Sequence, residues 1–353
     1  MKKPFLRQLI SGLTPPDRSE VHAFLDRVMN NNVDKAEVVA FLAGISAKPL
    51  CLENVNSFVS YYFKSTPVKS LQGVEGLVNI VGTGGGRVST FNISTAAAFV
   101  ASAAGAKVLK GGSTAYSSQC GCLDVIDALG IPMAASESQL TDMVGEFGLG
   151  FIPASHYGPL LKKLFVKALP IPFRDVAGFV NLIGPLLCPY QVSGQLIGVG
   201  QLEHLEVFNE AFSQRKPQKT LLVHAECGMD EFCSIGINYC HLICDDNQKF
   251  SLSSRDFGFG SGDLANLAGG TVPENAKILR EVLSGQRQDE ARDTVVLNSA
   301  ALLFLAGITS SIEEGSRLAL LMIDDGQAIR QLDRMIEWGS KLNTKPHFEM
   351  PVN

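Results

Sequence analysis

The sequence predicts an α/β protein: a small N-terminal helical domain, then a larger α/β domain on a mainly parallel central sheet. Three observations carry this. The first 65 residues show helical signals and no strand pattern. From about residue 77, short apolar runs that end in glycine alternate with helical stretches. The chain has 353 residues, 46% of them hydrophobic, which is enough core for one large or two medium domains.

The helical part begins with "PPDRSEVHAFLDRVMNN", where a proline pair and Asp17 are good helix starters. In "NNNVDKAEVVAFLAGISAK", Asp34 reads as an N-cap with Glu37 three residues on, a capping box before an apolar stripe. "CLENVNSFVSYYFKS" continues the pattern. "LVNIVGT" then reads as a buried strand, followed by a helix over 94–104 and a second strand, "AKVLKGG". "GCLDVIDALGI" is a helix closed by Gly130, and "GLGFIPAS" a third strand. Strands alternating with helices mean parallel crossovers with helices outside the sheet. Residues 157–190 are punctuated by proline and helical in stretches. "GQLIGVG" and "TLLVHAE" are again strand-like, "INYCHLICDD" and "QKFSLSS" form an antiparallel pair near the sheet edge, and helices dominate from 274 to 340.

Net charge is −5 and the sequence pI is about 5.7. That balance speaks against nucleic acid and anionic membranes as partners, but a few local cations suffice for a small phosphorylated ligand. "MKKPFLRQLISGL" starts basic, yet Arg7 and Gln8 interrupt any apolar core, so no signal peptide is read. The longest apolar runs are too short to span a bilayer. None of the eight cysteines forms a CxxC pair, and "CHLIC" at 240–244 has no second pair to complete a zinc site. They read as thiols in a reducing cytoplasm.

The chemistry concentrates in three clusters. "VGTGGGRVSTFNIST" (81–95) ends a strand in bare backbone and opens a helix. Glycines let an oxyanion approach closely, and the first helical N–H groups point at it. Asn92, Ser94 and Thr95 add side-chain donors. The loop is not a P-loop, because no lysine lies between 82 and 95. Nor is it the dinucleotide fingerprint, because position 87 is Arg and no acidic residue follows at the required distance. "KGGSTAYSSQCG" (110–121) puts Lys110 at a strand end among glycines and hydroxyls. "VHAECGMDEF" (223–232) puts Asp230 and Glu231 after a strand. An acidic pair in a phosphate site points to Mg²⁺, a hard cation shared between carboxylates and substrate oxygens; elsewhere such a pair is an ordinary solvated turn.

Together the three clusters resemble the anthranilate phosphoribosyltransferases of tryptophan biosynthesis, and the resemblance covers nearly the whole chain. "VGTGGG…FNIST" resembles the family's GTGGD…FNIST loop, "KGGSTAYSSQCGCLDVIDALGI" its KHGNR…SSxxGSxDxLxxLG, "NLIGPLLCP" its FNxLGPLxNP, and "GMDEF" its GxDE pair. "GGTVPENAKILREVLSG" and "RDTVVLNSAALLFLAG" are similar to its C-terminal helices. The resemblance implies a helical domain over 1–70, with 157–190 contributing to it and to the hinge. It implies a phosphoribosyl-diphosphate-binding α/β domain over 71–156 and 191–353, an active site in the cleft between them, and a homodimer through the helical domains.

Carried onto this chain, it implies that Gly82, Thr83, Gly84 and Gly85 cradle the diphosphate. Asn92, Ser94 and Thr95 would hold the ribose phosphate or diphosphate end, and Lys110 would pair with the diphosphate, assisted by Ser118. Ser94, Asp230 and Glu231 would bind Mg²⁺. His156, in "IPASH", matches a histidine of the aromatic-acceptor tunnel. The implied reaction transfers phosphoribosyl from 5-phosphoribosyl 1-diphosphate to anthranilate, a glycosyltransferase step that needs charge neutralisation and positioning rather than a covalent nucleophile.

The chain departs from that pattern on the acceptor side. The Asp after the family's diglycine is Gly86 here, the His, Asn and Arg of KHGNR are Gly111, Ser113 and Thr114, and the second Ser of GS is Cys122. The arginine that holds the acceptor's carboxylate has only Arg174 as a candidate, in a segment of different length. Three readings therefore stand: an anthranilate enzyme with an altered acceptor pocket, a paralogue using another aromatic amine or base, and a non-catalytic binding protein on the same scaffold.

Overall fold

A computed structural model describes residues 5–12, 16–112, 121–215, 219–259 and 262–341. Ser118 lies outside the described residues, as do Ser113 and Thr114. The chain divides into two compact units, Met1–Lys69 with Ser155–Gln191 and Glu203–Lys216, and Ser70–Ala154 with Val192–Leu202 and Pro217–Asn353. The helical unit takes 203–216 as well, which the sequence reading places with the sheet. No helix among the described residues is long and apolar enough to cross a membrane.

The helical unit is built on Arg18–Met29, Lys35–Ser46, Leu52–Ser65, Gly158–Ala168 and Leu205–Ser213. Its first two long helices start at the caps their sequence provides. The Asp17 carboxylate accepts from the Ser19 N–H at 2.7 Å, and the Glu37 carboxylate reaches back to the Asp34 N–H at 3.0 Å. Phe24 and Phe41 stack with ring centroids 4.6 Å apart, and Phe58 meets Phe179 edge-on at 5.9 Å. These rings, with Leu25, Leu42 and Tyr62, are buried and form the core of this unit.

The second unit carries a sheet of strands β1 (Leu77–Gly82), β2 (Lys107–Gly111), β3 (Leu149–Ile152), β4 (Gly194–Gly198), β5 (Lys219–Ala225), β6 (Ile237–Ile243) and β7 (Gln248–Ser253). Their order is β3-β2-β1-β4-β5-β6-β7. The first five pair in parallel, and β6 and β7 close the edge antiparallel. The parallel strands read as largely apolar runs because helices bury them. One of these helices is Ile93–Ala103, where Ala96, Ala97, Ala98 and Ala101 have no exposed surface.

The strand order fixes where function can sit. After β1 the chain moves to β2 on one side, and after β4 it moves to β5 on the other. In an open parallel sheet that reversal leaves a crevice at the carboxyl ends of the strands. The glycine loop follows β1, and the acidic pair follows β5.

Helix Glu290–Leu305 packs against Ile312–Asp324 through a close crossing at Gly315. A Cβ there would lie 2.7 Å from the Ala300 carbonyl oxygen and 2.9 Å from its Cα. We predict that Gly315→Ala lowers the unfolding free energy by about 1–3 kcal/mol through overpacking. That outweighs the roughly 0.5–1 kcal/mol that alanine normally adds in a helix. Urea denaturation measures it, and an unchanged or higher midpoint would show that the crossing has room to spare.

Candidate active site

Thr83 anchors the loop after β1. Its N–H donates to the Gly198 carbonyl at 2.9 Å, and its hydroxyl accepts from the Gly200 N–H at 2.9 Å. Gly84 and Gly85 follow with φ of +70° and +74°, a backbone that L side chains rarely adopt. This twist turns the Gly84 N–H toward the acidic pair, where it donates to Asp230 Oδ2 at 2.8 Å. The same approach explains Gly82 and Gly198. A Cβ on Gly82 would strike the Asp230 carboxylate, and one on Gly198 would strike the Asp230 main chain. Gly86 is hemmed in as well: its Cβ would stand 2.9 Å from the Gly228 carbonyl oxygen.

The helix Ile93–Ala103 contributes the second contact. The Ser94 N–H in its first turn donates to Glu231 Oε1 at 3.0 Å. Thr95 is fully buried, and its hydroxyl oxygen has no hydrogen-bond partner among the described residues. The glycine loop and the helix start are thus in direct contact with the acidic pair.

Lys110 closes the set. It is 4% exposed at the end of β2, and its ammonium donates to the Gly111 carbonyl at 2.9 Å. It also acts electrostatically on both carboxylates. Burial raises the Asp230 carboxyl above its usual range, opposed by the Gly84 N–H, Lys110 and His224. Glu231 is pushed up to about 8 by burial and by neighbouring Asp230, against Lys110 and Ser94. Both residues keep part of their surface open although their carboxylates are desolvated.

An acidic pair so desolvated is a poor host for two negative charges and a good one for a divalent cation. No cluster of three or more His, Cys, Asp or Glu suited to a metal occurs among the described residues. Asp230, Glu231 and the Ser94 hydroxyl offer oxygen donors alone. That donor set fits Mg²⁺, which completes its shell with water and substrate oxygens rather than an all-protein cage.

The acceptor candidates sit elsewhere in the chain. His156 occupies the short turn Ala154–Tyr157, with Nδ1 2.6 Å from the hydroxyl of buried Tyr190. Arg174 is 54% exposed, with Nε 3.6 Å from the Asp175 carboxylate. Both belong to the helical unit, whereas the other described site residues belong to the sheet unit. Gly111 ends β2, and Cys122 opens the helix Cys122–Ala128 with its sulfur packed against Gly112.

Sequence reasoning missed four residues. Gly198 and Gly200 form the wall against which the loop and acidic pair pack, His224 acts electrostatically on Asp230, and Asn275 bonds Asn92. The signal for the first two was the glycine-ended strand "GQLIGVG". His224 lies inside the 223–232 cluster but carries no signal of its own there, and for Asn275 no local pattern marks a partner brought in from a distant helix.

Residues 74–329 match the model of the glycosyl transferase family, a/b domain, which gives the class: an enzyme that transfers a glycosyl group. The anthranilate phosphoribosyltransferase of Rubrobacter xylanophilus is 32% identical over 97% of this chain and 98% of its own length. That of Methanocorpusculum labreanum is 34% identical over 90% and 92%. Among solved structures, the Saccharomyces cerevisiae enzyme in complex with PRPP and Mg superposes with a TM-score of 0.81 at 26% identity, covering 96% of this chain and 97% of that one. The Thermus thermophilus enzyme gives 0.79 at 26% identity, covering 96% and 100%. The chain belongs to the anthranilate phosphoribosyltransferase family.

The raised Glu231 carboxyl makes a pH prediction. Unfolded, it titrates near 4.5; folded, near 8, so the folded chain holds the extra proton between those values. Stability is therefore greatest at the acid end of this window and falls as pH rises through it to about 8. With chelator present, thermal unfolding should drop between about pH 6 and 8, and Glu231→Gln should flatten that slope. An identical slope in the variant would show that the carboxyl is not the source.

Proposed function

We propose that the chain transfers the phosphoribosyl group from 5-phosphoribosyl 1-diphosphate to anthranilate and releases diphosphate, as a Mg²⁺-dependent step of tryptophan biosynthesis. The observation that carries this is the pair of contacts from the Gly84 and Ser94 N–H groups to Asp230 and Glu231. They bring the glycine loop and the helix start against the acidic pair, which supports one shared site for an oxyanion and a cation. The names of the relatives and the PRPP and Mg complex of the yeast enzyme support the same reading.

Breaking the bond from ribose C1 to the diphosphate leaves an oxocarbenium-like sugar and a highly charged leaving group. The backbone of Gly82, Thr83, Gly84 and Gly85, with Asn92, Ser94 and Thr95, holds the phosphates, the Gly84 and Ser94 N–H groups passing from the Asp230 and Glu231 carboxylates to phosphate oxygens. Lys110 turns its ammonium from the Gly111 carbonyl to the diphosphate, and Ser118 assists. Ser94, Asp230 and Glu231 would hold Mg²⁺, which when bound would supply further neutralisation of the departing charge. The acceptor amine is delivered by positioning, with His156 and Arg174 assigned to it. Arg174 must first leave Asp175 to take part. We place the active form as a homodimer in the cytoplasm. Exposed apolar residues of the helical unit, such as Ile10 at 61% and Val166 at 49%, support the first, and a cysteine pattern without a CxxC pair supports the second.

A second reading, transfer to another aromatic amine or base, is favoured by the acceptor half. Gly111 offers no side chain, and Arg174 is solvated and ion-paired. Steady-state turnover of PRPP with anthranilate and Mg²⁺ separates the two. Turnover of anthranilate is expected, and Lys110→Ala should reduce kcat by about 10²- to 10³-fold, as for loss of one transition-state donor. Thermal stabilisation by PRPP with no turnover of anthranilate would favour the second reading. Absence of both would remove the enzymatic one.

A further inference from the structure

We propose that Asn275 is a positioning residue that decides which end of the Asn92 carboxamide meets the substrate's phosphate. This rests on the reading of residues 82–95 as the diphosphate cradle.

Asn92 precedes the helix Ile93–Ala103, and its carbonyl accepts from the N–H groups of Thr95 and Ala96 at 3.1 and 3.0 Å. An asparagine at this position ordinarily turns its side chain onto the N–H of the second or third helical residue. Asn92 makes no such cap. The second N–H, of Ser94, is given to Glu231 instead. The side-chain oxygen of Asn92 accepts from Asn275 Nδ2 at 3.1 Å, across 183 residues of sequence.

The direction of that bond is fixed one step further out. Asn275 is 2% exposed, and its Oδ1 accepts from the Gly270 N–H at 2.8 Å. A backbone N–H can only donate, so the oxygen of Asn275 faces Gly270 and its NH₂ faces Asn92. The Asn92 oxygen is then the end engaged by Asn275, and in this proposal the NH₂ is the end that donates to the phosphate. The reverse orientation would set a carbonyl oxygen against a phosphate oxygen, two acceptors in contact.

The surrounding frame holds the relay in place. A capping box ties the start of the helix Val272–Leu283: the Glu274 carboxylate accepts from the Thr271 N–H at 2.7 Å. The Phe91 N–H donates to the Leu267 carbonyl at 3.0 Å, and Thr90 bridges to Ala268. The segment that carries Asn92 and the segment that leads to Asn275 are therefore fastened side by side.

Asn275→Asp keeps the acceptor for Gly270 and removes the donor to Asn92, which must then turn its NH₂ away from the phosphate. Titration calorimetry of the full chain with PRPP and Mg²⁺ reads the effect. Asn275→Asp should weaken PRPP by about 10- to 100-fold, the loss of one hydrogen bond to a charged group. Asn275→Ala leaves Asn92 able to rotate and should weaken it less, by about threefold. In an Asn92→Ala background, Asn275→Asp should add less than about twofold, because there is no amide left to orient. A loss from Asn275→Ala as large as that from Asn275→Asp, with thermal unfolding showing both folded, would assign Asn275 a structural role only. An undiminished effect of Asn275→Asp in the Asn92→Ala background would assign it to simple charge repulsion. Either result overturns the inference while the functional reading stands. Failure of the unaltered chain to bind PRPP overturns both.

Discussion

Two main-chain N–H groups hold an acidic pair against a glycine loop and a helix start, and the rest of the site is arranged around that contact. Gly84 reaches Asp230, and Ser94 reaches Glu231. The contact is close enough to exclude side chains from Gly82 and Gly198. It is also dry enough to lift both carboxyls above their usual range. Uncompensated negative charge in such surroundings is costly unless a cation joins it. Under the proposed function, cation and diphosphate enter the same place for complementary reasons, one drawn by the carboxylates and the other by the amides.

The sheet supplies the geometry. β1 and β5 are separated only by β4, so loops 146 residues apart in sequence meet at the point where the strand order reverses. Much of this was legible in the sequence. The parallel strands announced themselves as short apolar runs, most of them ending in glycine, and the capping box of Asp34 and Glu37 is present as read. The antiparallel pair at the edge was also legible, from runs that share no helix between them. The three clusters pointed to one ligand because glycine, hydroxyl, lysine and paired carboxylate are the residue types that an Mg²⁺–phosphate site demands.

What the sequence withheld depends on contacts between distant segments. Nothing around Glu203–Lys216 marks it as part of the helical unit rather than the sheet unit, since its amphipathic helix would suit either. Asn275 looks like one polar residue in a capped helix until Asn92 is seen beside it. Gly198 and Gly200 look like an ordinary strand end until Asp230 and Gly84 are packed against them. The departures on the acceptor side were visible as letters, but their consequence was not. The structure shows a buried Gly111 closing β2 and an exposed, ion-paired Arg174. The half that the proposed function gives to the diphosphate thus keeps the residue types that chemistry requires, while the half it gives to the acceptor has fewer fixed donors.

A crystal structure of the chain with PRPP and Mg²⁺ bound tests the central claim most directly. The account predicts diphosphate oxygens on the Gly84 and Ser94 N–H groups, with Asp230 and Glu231 among the groups that hold the metal. Diphosphate bound away from those amides, or carboxylates still hydrogen-bonded to them with the ligand in place, would contradict it.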